Sequence, residues 1–238
     1  MQQANKPSVW GMLKAVFPAT IPVLMGYVFM GSAFGMLLQD KGYGVGWALC
    51  SALFVYAGSA QFLMVGLLVG EFDPLTAFLL VFMVNIRHLF YGIAMLEKYK
   101  SFGRARYYLI FALSDETFAL VSGQRPPEGV GEKAYFLLVA VLHQFYWVAG
   151  CVLGGLAGQL LPFSTQGIEF VVTALFVVLL LEQWQTRKSS RVPSLVGLAA
   201  PLLCRAVFGS RWFIPAAMAV MAAVFICWRK PLERGLDE

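Results

Sequence analysis

Charged residues are scarce in this chain of 238 residues: Asp, Glu, Lys and Arg together make up 13%, whereas hydrophobic residues make up 59%. Soluble domains are about a quarter charged and about half apolar. Long apolar runs recur along the whole chain, and no stretch between them has the composition of a soluble domain. The sequence therefore excludes an ordinary soluble protein. It predicts an all-α, polytopic integral membrane protein in which residues 1–238 form a single transmembrane domain.

Other chemical signatures are also missing. The four cysteines lie in apolar segments without CxxC spacing, which is typical of small core residues and not of disulfides or a metal site: Cys50, Cys151, Cys204 and Cys227. The chain has no GxxxxGKS/T loop, so we do not expect it to use ATP directly. Its net charge of +5 comes mainly from short loops, a distribution that orients membrane spans, so we expect no nucleic-acid partner. We expect neither a cofactor nor a metal ion.

Eight apolar segments predict seven or eight membrane helices, since a straight helix needs about 20 residues to cross a bilayer. They lie at 15–38, 45–70, 74–96, 107–123, 134–160, 168–185, 192–209 and 212–228. The segment 107–123 is short and contains two acids, so we expect it to be broken or re-entrant. Pro18 and Pro22 predict a kinked or interrupted first helix. The loop 97–106 is rich in Lys and Arg, which favours a cytoplasmic position.

The third segment contains an unusual polar group. Its sequence VFMVNIRHLFYG (81–92) places Asn85, Arg87, His88 and Tyr91 on adjoining faces of one helix. A charged side chain at mid-membrane costs at least ~2.5–3.5 kcal/mol on insertion scales, so we expect this polar sector to face the protein interior. The alternative is that the segment ends early and these side chains extend to the cytoplasmic surface.

Two adjacent acids lie in the fourth segment. Asp115 and Glu116 follow Ser114 in the stretch IFALSDETFALVSG, with apolar residues on both sides. Such carboxyl groups can exchange a proton or hold an ammonium group. Alternatively, Ser114 caps a helix that starts there, and the acids favour its positive end. Both interpretations hold if a broken helix begins here inside the protein.

Small and polar residues interrupt the second segment at residues 56–61. Ser59 and Gln61 can hydrogen-bond a ligand or a neighbouring helix, and the small residues permit either close helix packing or an unwound turn. Ser59 with His88 or His143 as its base would indicate an intramembrane hydrolase. The stretch AGSAQ lacks the GxSxG pattern, so we do not expect an enzyme, and His143 also fits a satisfied interior histidine.

Four stretches resemble the AzlC family, the large subunits of bacterial branched-chain amino acid exporters. They are PATIPVLMGYVFMGSAFG (18–35), FVYAGSAQF (54–62), NIRHLFYG (85–92) and LSDETFAL (113–120), in the family's order and spacing. The resemblance implies export of leucine, isoleucine, valine and similar amino acids across the bacterial inner membrane. It also implies a partner, a small AzlD-type membrane subunit. The second half of the chain matches mainly in length and hydropathy.

The matching positions supply the predicted site. We expect substrate binding by Tyr56, Ser59, Gln61, Asn85, Arg87, His88 and Tyr91, and a proton or charge relay by His88, Asp115 and Glu116. The guanidinium can offer paired donors to a substrate carboxylate, an acid can face its ammonium, and apolar side chains can surround its aliphatic group. Because three of these residues titrate, we predict a proton-coupled secondary transporter. The alternatives are a membrane scaffold whose charges only hold the partner subunit, and a passive channel.

Overall fold

The computed structural model describes residues 8–70, 73–160, 177 and 191–227 of the chain. These residues contain helices and no strand. The helices are α1 (Val9–Asp40), α2 (Val45–Phe54), α3 (Gly58–Val69), α4 (Pro74–Tyr99), α5 (Ala105–Phe111), α6 (Asp115–Gly123), α7 (Glu132–Leu160) and α8 (Arg191–Cys227). Three of them are long and apolar enough to cross a membrane: α1, α7, and α4 with the 3-10 turn that extends it to Phe102. The predicted segment 168–185 lies almost entirely outside the described residues.

Two apolar segments are broken near their middle. Residues 55–57 separate α2 from α3, and residues 112–114 separate α5 from α6. In the first break Tyr56 has a φ of 42°, a left-handed conformation that costs a residue with a side chain about 1–2 kcal/mol. The broken helix predicted at 107–123 is therefore confirmed, and the second segment contains the unwound turn.

Helices α1 and α7 pack against each other along much of their length. Their backbones approach closely, because a Cβ added at Gly35 or Gly154 would overlap the backbone of the opposite helix. Each of these glycines has another four residues earlier, Gly31 and Gly150, whose neighbours are also backbone atoms of the opposite helix. This spacing of small residues is typical of helix pairs in membranes.

Pro18 and Pro22 lie inside α1, which runs unbroken from Val9 to Asp40. The interruption considered for the first segment is therefore wrong. Each proline removes one backbone donor from the helix and crowds the carbonyl of the preceding turn. Contact with α7 along much of α1 favours the continuous helix and offsets the loss.

The contacts between residues divide the chain into two compact units. The first comprises Met1–Phe72 and Val84–Ile168, and within it α7 is central because α1, α2, α5 and α6 all pack against it. The second comprises Asp73–Met83 and Glu169–Glu238 and includes α8, where Gly209 marks a kink with a φ of 69°. All residues of the candidate site belong to the first unit.

The outward faces of the long helices are apolar. On α1, large exposed side chains recur every fourth residue: Phe17, Ile21, Met25 and Phe29. Exposed apolar side chains are also frequent on α4 and α7. Contiguous apolar surface of this extent is unusual on a soluble monomer and is what lipid contact requires. The chain is thus a helical membrane protein, and the count of seven or eight helices stays a prediction.

Candidate functional site

Arg87 lies near the middle of α4 and joins that helix to both broken segments. Its Nη1 is 3.0 Å from Oδ2 of Asp115 in α6. Its Nη2 donates a hydrogen bond of 3.0 Å to Oγ of Ser59 in the first turn of α3. These contacts, made from the middle of a continuous helix, disfavour the alternative in which the segment ends early and Arg87 extends to the surface.

The ion pair between Arg87 and Asp115 is only partly buried among the described residues. The exposed fraction is 42% for the arginine side chain and 36% for the aspartate side chain. At the same time, Nε of Arg87 and Oδ1 of Asp115 are buried and have no hydrogen-bond partner among the described residues. The pair therefore keeps unused donor and acceptor capacity beside an accessible surface, a combination that suits a ligand carrying both charges.

The start of α6 is capped by a side chain and anchored to α1. Oγ of Ser114 accepts a hydrogen bond of 3.1 Å from the backbone N–H of Thr117, which is the cap expected from the sequence. The hydroxyl of Tyr27 in α1 lies 2.6 Å from Oγ of Ser114 and 2.6 Å from Oε2 of Glu116. The cap interpretation is therefore confirmed, and both acids lie at the positive end of the capped helix. Their role in proton exchange or in binding an ammonium group stays a prediction.

The remaining polar residues of α4 surround the acids of α6. Tyr91 stacks on Phe118 with ring centroids 4.5 Å apart, and His88 meets Tyr91 edge-on at 5.9 Å. Both His88 and Tyr91 interact electrostatically with Asp115. Asn85 is half-buried one turn before His88, and its backbone interacts with the imidazole. The structure thus brings the predicted residues of α4 to the side of the helix that faces α6.

Gln61 is fully buried and uses both ends of its amide inside the protein. Its Oε1 accepts a hydrogen bond of 2.8 Å from Nε1 of Trp147 in α7, and its Nε2 donates one of 3.1 Å to Oγ of Ser51 in α2. Gly58 lies against the same indole, because a Cβ added there would be 2.9 Å from Cη2 of Trp147. These contacts fix the start of α3 and favour the neighbouring-helix interpretation of Gln61.

Tyr56 is buried in the break between α2 and α3. Its hydroxyl makes no hydrogen bond of good geometry among the described residues, although Glu116, Tyr27 and Ser114 are near enough to interact with it. The adjoining start of α3 has no side-chain cap, because its N-cap residue is Ala57. A helix start with free amides favours negative charge. The site therefore has a positive half, at α3 and Arg87, and a negative half, at the acids of α6.

Two further residues of the site, Tyr27 and Thr117, were not predicted from the sequence. Tyr27 of α1 contacts Glu116, and Thr117 Oγ1 is 2.8 Å from Nδ1 of the fully buried His143 in α7. The spacing from Ser114 to Thr117, three residues on one helix, places both hydroxyls on one face and was the available clue. Because Ser59 bonds to Arg87 and His143 to Thr117, these contacts do not form the nucleophile–base pair of a hydrolase.

The fold and site define a class of protein: a helical membrane protein in which an arginine of a continuous helix forms an ion pair with one broken segment and a hydrogen bond with another. The family model described as AzlC protein matches residues 22–161. The chain is 38% identical over 232 residues to the branched-chain amino acid transport protein AzlC of Bacillus subtilis (strain 168), covering 97% of this chain and 91% of the relative. The chain therefore belongs to the AzlC family.

Two other relatives are also named as membrane proteins. An uncharacterized membrane protein of Helicobacter pylori (strain ATCC 700392 / 26695) is 39% identical over 220 residues, which cover 92% of this chain and 96% of the relative. The inner membrane protein YgaZ of Escherichia coli (strain K12) is 27% identical over 194 residues, or 76% of this chain and 77% of the relative. No solved structure matches the chain. These comparisons agree with membrane location and with the family resemblance of the four motifs.

Proposed function

We propose that this chain is the substrate-binding subunit of a secondary transporter that exports branched-chain amino acids across the bacterial inner membrane. It works with a small AzlD-type membrane subunit and is coupled to protons. The name of the Bacillus subtilis relative supports the substrate class, and the name of the Escherichia coli relative supports the location. The observation that carries the proposal is the partly exposed ion pair between Arg87 and Asp115, which has the two charges that a zwitterion needs.

Substrate binding exchanges one ion pair for two. The carboxylate of leucine takes the place of Asp115 on the guanidinium of Arg87, where Ser59 and the uncapped start of α3 add polar contacts. The released carboxylate of Asp115 then faces the substrate's ammonium group. In the empty state the two side chains neutralise each other, which limits the cost of holding charge at mid-membrane. The aliphatic side chain contacts the apolar and aromatic residues nearby, among them Phe118.

Proton coupling uses the titratable residues that surround this exchange. Glu116 is adjacent to Asp115 but bonds to Tyr27, so it remains available to bind a proton while Asp115 and Arg87 hold the substrate. His88 contacts Tyr91 beside them. A carboxyl in such a place binds or releases its proton as neighbouring charges change. Substrate arrival and proton release are then linked through α6.

Transport of labelled leucine into inverted membrane vesicles tests the role of Arg87. Arg87→Ala removes both the donors for the substrate and the partner of Asp115, so we expect uptake to fall by at least about tenfold, the effect of losing one charged hydrogen-bonded contact. Lys100→Ala is the matched control, because it breaks the exposed pair between Lys100 and Glu97 outside the site. Normal uptake by correctly inserted Arg87→Ala would show that Arg87 is not a substrate ligand.

A scaffold role is the second candidate, and the exposure of the ion pair favours it. An ion pair exposed on a membrane helix can be covered by a partner subunit instead of by substrate. This candidate predicts that Arg87→Ala abolishes co-purification of the small subunit. The proposed transporter predicts that the complex still assembles and that only leucine flux is lost. A passive channel would give leucine flux that does not saturate with concentration.

A further inference from the structure

An unbroken series of hydrogen bonds connects Glu116 to His143. From Oε2 of Glu116 it passes to the hydroxyl of Tyr27 at 2.6 Å and on to Oγ of Ser114 at 2.6 Å. It continues to Oγ1 of Thr117 at 3.0 Å and ends on Nδ1 of His143 at 2.8 Å. Helices α1, α6 and α7 supply these groups, together with Ser114, the residue that caps α6. Two titratable groups of the protein interior are therefore joined by three hydroxyls alone.

The hydroxyls of this series can all point the same way. Ser114 donates to Thr117, so the hydroxyl of Thr117 is left to donate to Nδ1 of a neutral His143. Tyr27 in turn donates to Ser114, and a protonated Glu116 can donate to Tyr27. Every donor then points from the carboxyl group toward the imidazole. The reverse orientation, from a protonated imidazole to an ionised carboxylate, satisfies the same five groups.

We propose that Glu116 and His143 are the two ends of one proton-carrying chain, and that His143 is the inner proton-binding site of the transporter. Glu116 loses its proton to the oxygen of Tyr27, whose own proton moves to Ser114. The proton of Ser114 moves to Thr117, and that of Thr117 to Nδ1 of His143. Each O–H bond that breaks is replaced by a new one, except at Glu116. The net products are a carboxylate and an imidazolium, with all three hydroxyls neutral.

Among the described residues, His143 is connected to other polar groups through this series of hydrogen bonds. The side chain is fully buried, and its Nε2 has no hydrogen-bond partner within the described part of the protein. The titratable groups that face it are Tyr27 from α1 and Tyr146 from α7 itself, while α6 presents Thr117 with Glu116 beyond it. From α5, Tyr108 bonds to Gln144 instead. No charged side chain among these pairs directly with the imidazole.

Glu116, by contrast, has charged and titratable neighbours on several elements. Tyr27 faces it from α1, Tyr56 from the break before α3, and His88 and Tyr91 from α4. The ion pair of Asp115 and Arg87 lies next to it. Glu116 is thus the end of the chain that can sense the substrate, and His143 is the end that is isolated from it.

This inference rests on the proposed proton coupling and names the residues that carry it. The test compares two measurements in inverted vesicles from cells that express the chain with its small partner subunit. The first is accumulation of labelled leucine driven by an imposed pH gradient. The second is exchange of labelled for unlabelled leucine at equal pH, which needs substrate binding and conformational change but no net proton movement.

Two variants interrupt the series of hydrogen bonds, and two others serve as controls. Thr117→Val removes a hydroxyl at constant shape, and His143→Asn keeps an acceptor for Thr117 but cannot bind the proton. Both should lose at least about tenfold in gradient-driven accumulation, as expected for loss of a proton-transfer group, while leucine exchange persists. Thr117→Ser should restore accumulation. Tyr108→Phe, which breaks the neighbouring 2.8 Å bond to Gln144 outside the chain, should leave both measurements unchanged.

The outcomes distinguish failure of the proton path from failure of the proposed function. Gradient-driven accumulation by Thr117→Val and His143→Asn that equals a gradient-dependent wild type would overturn the inference. The proton would then not pass through Thr117 to His143. If wild-type accumulation is itself independent of the gradient, the proposed proton coupling is wrong, and so is the proton path from Glu116 to His143. Should Thr117→Val not insert, Tyr27→Phe interrupts the same series at its link to Glu116 and is judged by the same two measurements.

Discussion

Asp115 and Glu116 are neighbours in the chain but have different partners. Asp115 pairs with Arg87 of α4, whereas Glu116 accepts a hydrogen bond from Tyr27 of α1. Successive residues of a helix point about 100° apart, so one turn presents one carboxylate to each neighbouring helix. Under the proposed function, this division assigns substrate charge to one acid and the proton to the other.

Substitution of Tyr56 can distinguish a role of its hydroxyl in substrate binding from a role in stability. Its ring is buried, and its hydroxyl lies near Tyr27 and Ser114 without forming a hydrogen bond of good geometry among the described residues. We therefore expect Tyr56→Phe to leave the thermal stability of the purified protein unchanged. If the hydroxyl binds substrate, the KM for leucine should rise by roughly 2- to 12-fold, the effect of losing one net hydrogen bond of about 0.5–1.5 kcal/mol. The measurement is leucine uptake as a function of concentration.

Tyr135 is the matched control for this substitution. It is also a buried tyrosine whose hydroxyl has no partner among the described residues, and it lies in the first turn of α7. Tyr135→Phe should leave both the KM and the stability as in wild type. An equal KM for Tyr56→Phe and wild type would remove the Tyr56 hydroxyl from the set of substrate ligands.

The helix breaks could be predicted from the sequence because their signals are local. Adjacent acids in an apolar run, preceded by Ser114, indicate a capped helix start, and the small residues after Tyr56 permit an unwound turn. The continuity of α1 could not be predicted from the sequence. Pro18 and Pro22 disturb a helix locally, whereas the stabilising contact comes from α7, which is distant in sequence. The partner of Glu116 was equally hidden, since Tyr27 lies far from it in sequence.

The contact between α1 and α7 depends on glycine, and its removal should destabilise the fold. A Cβ added at Gly35 would overlap the backbone of Cys151 and Gly155, which cannot move as a flexible side chain can. We expect Gly35→Ala to cost at least the ~1–3 kcal/mol of overpacking. This loss should lower the thermal unfolding midpoint of the detergent-purified protein, measured by size-exclusion chromatography after heating.

Gly26→Ala is the control on the same helix. Among the described residues, nothing lies within 4 Å of a Cβ added at Gly26. The substitution also replaces glycine by the residue with the highest helix propensity, which favours the helix by about 0.8–1 kcal/mol. Gly26→Ala should therefore be at least as stable as wild type. Equal midpoints for Gly26→Ala and Gly35→Ala would contradict the close approach of α1 and α7.

The path of the chain across the membrane depends on whether α5 and α6 together form one crossing. Residues 105–123 would span about 28 Å if fully helical, close to the ~30 Å thickness of the hydrocarbon core. The basic loop before them favours the cytoplasm, and the loop 124–131 follows them. A broken crossing places these two loops on opposite sides, whereas a re-entrant element places them on the same side. Because α6 holds the acids of the site, the first arrangement puts them near mid-membrane.

Cysteine labelling distinguishes the two arrangements. In a variant whose four native cysteines are replaced by serine, Ser101→Cys reports the basic loop and Glu128→Cys reports the loop after α6. We expect a membrane-impermeant maleimide to label Ser101→Cys only in inverted vesicles and Glu128→Cys only in intact spheroplasts. Labelling of both from the same side would make α5 and α6 re-entrant. The acids would then be reached from that side alone, and a site that alternates between the two faces of the membrane would need a different pair of elements.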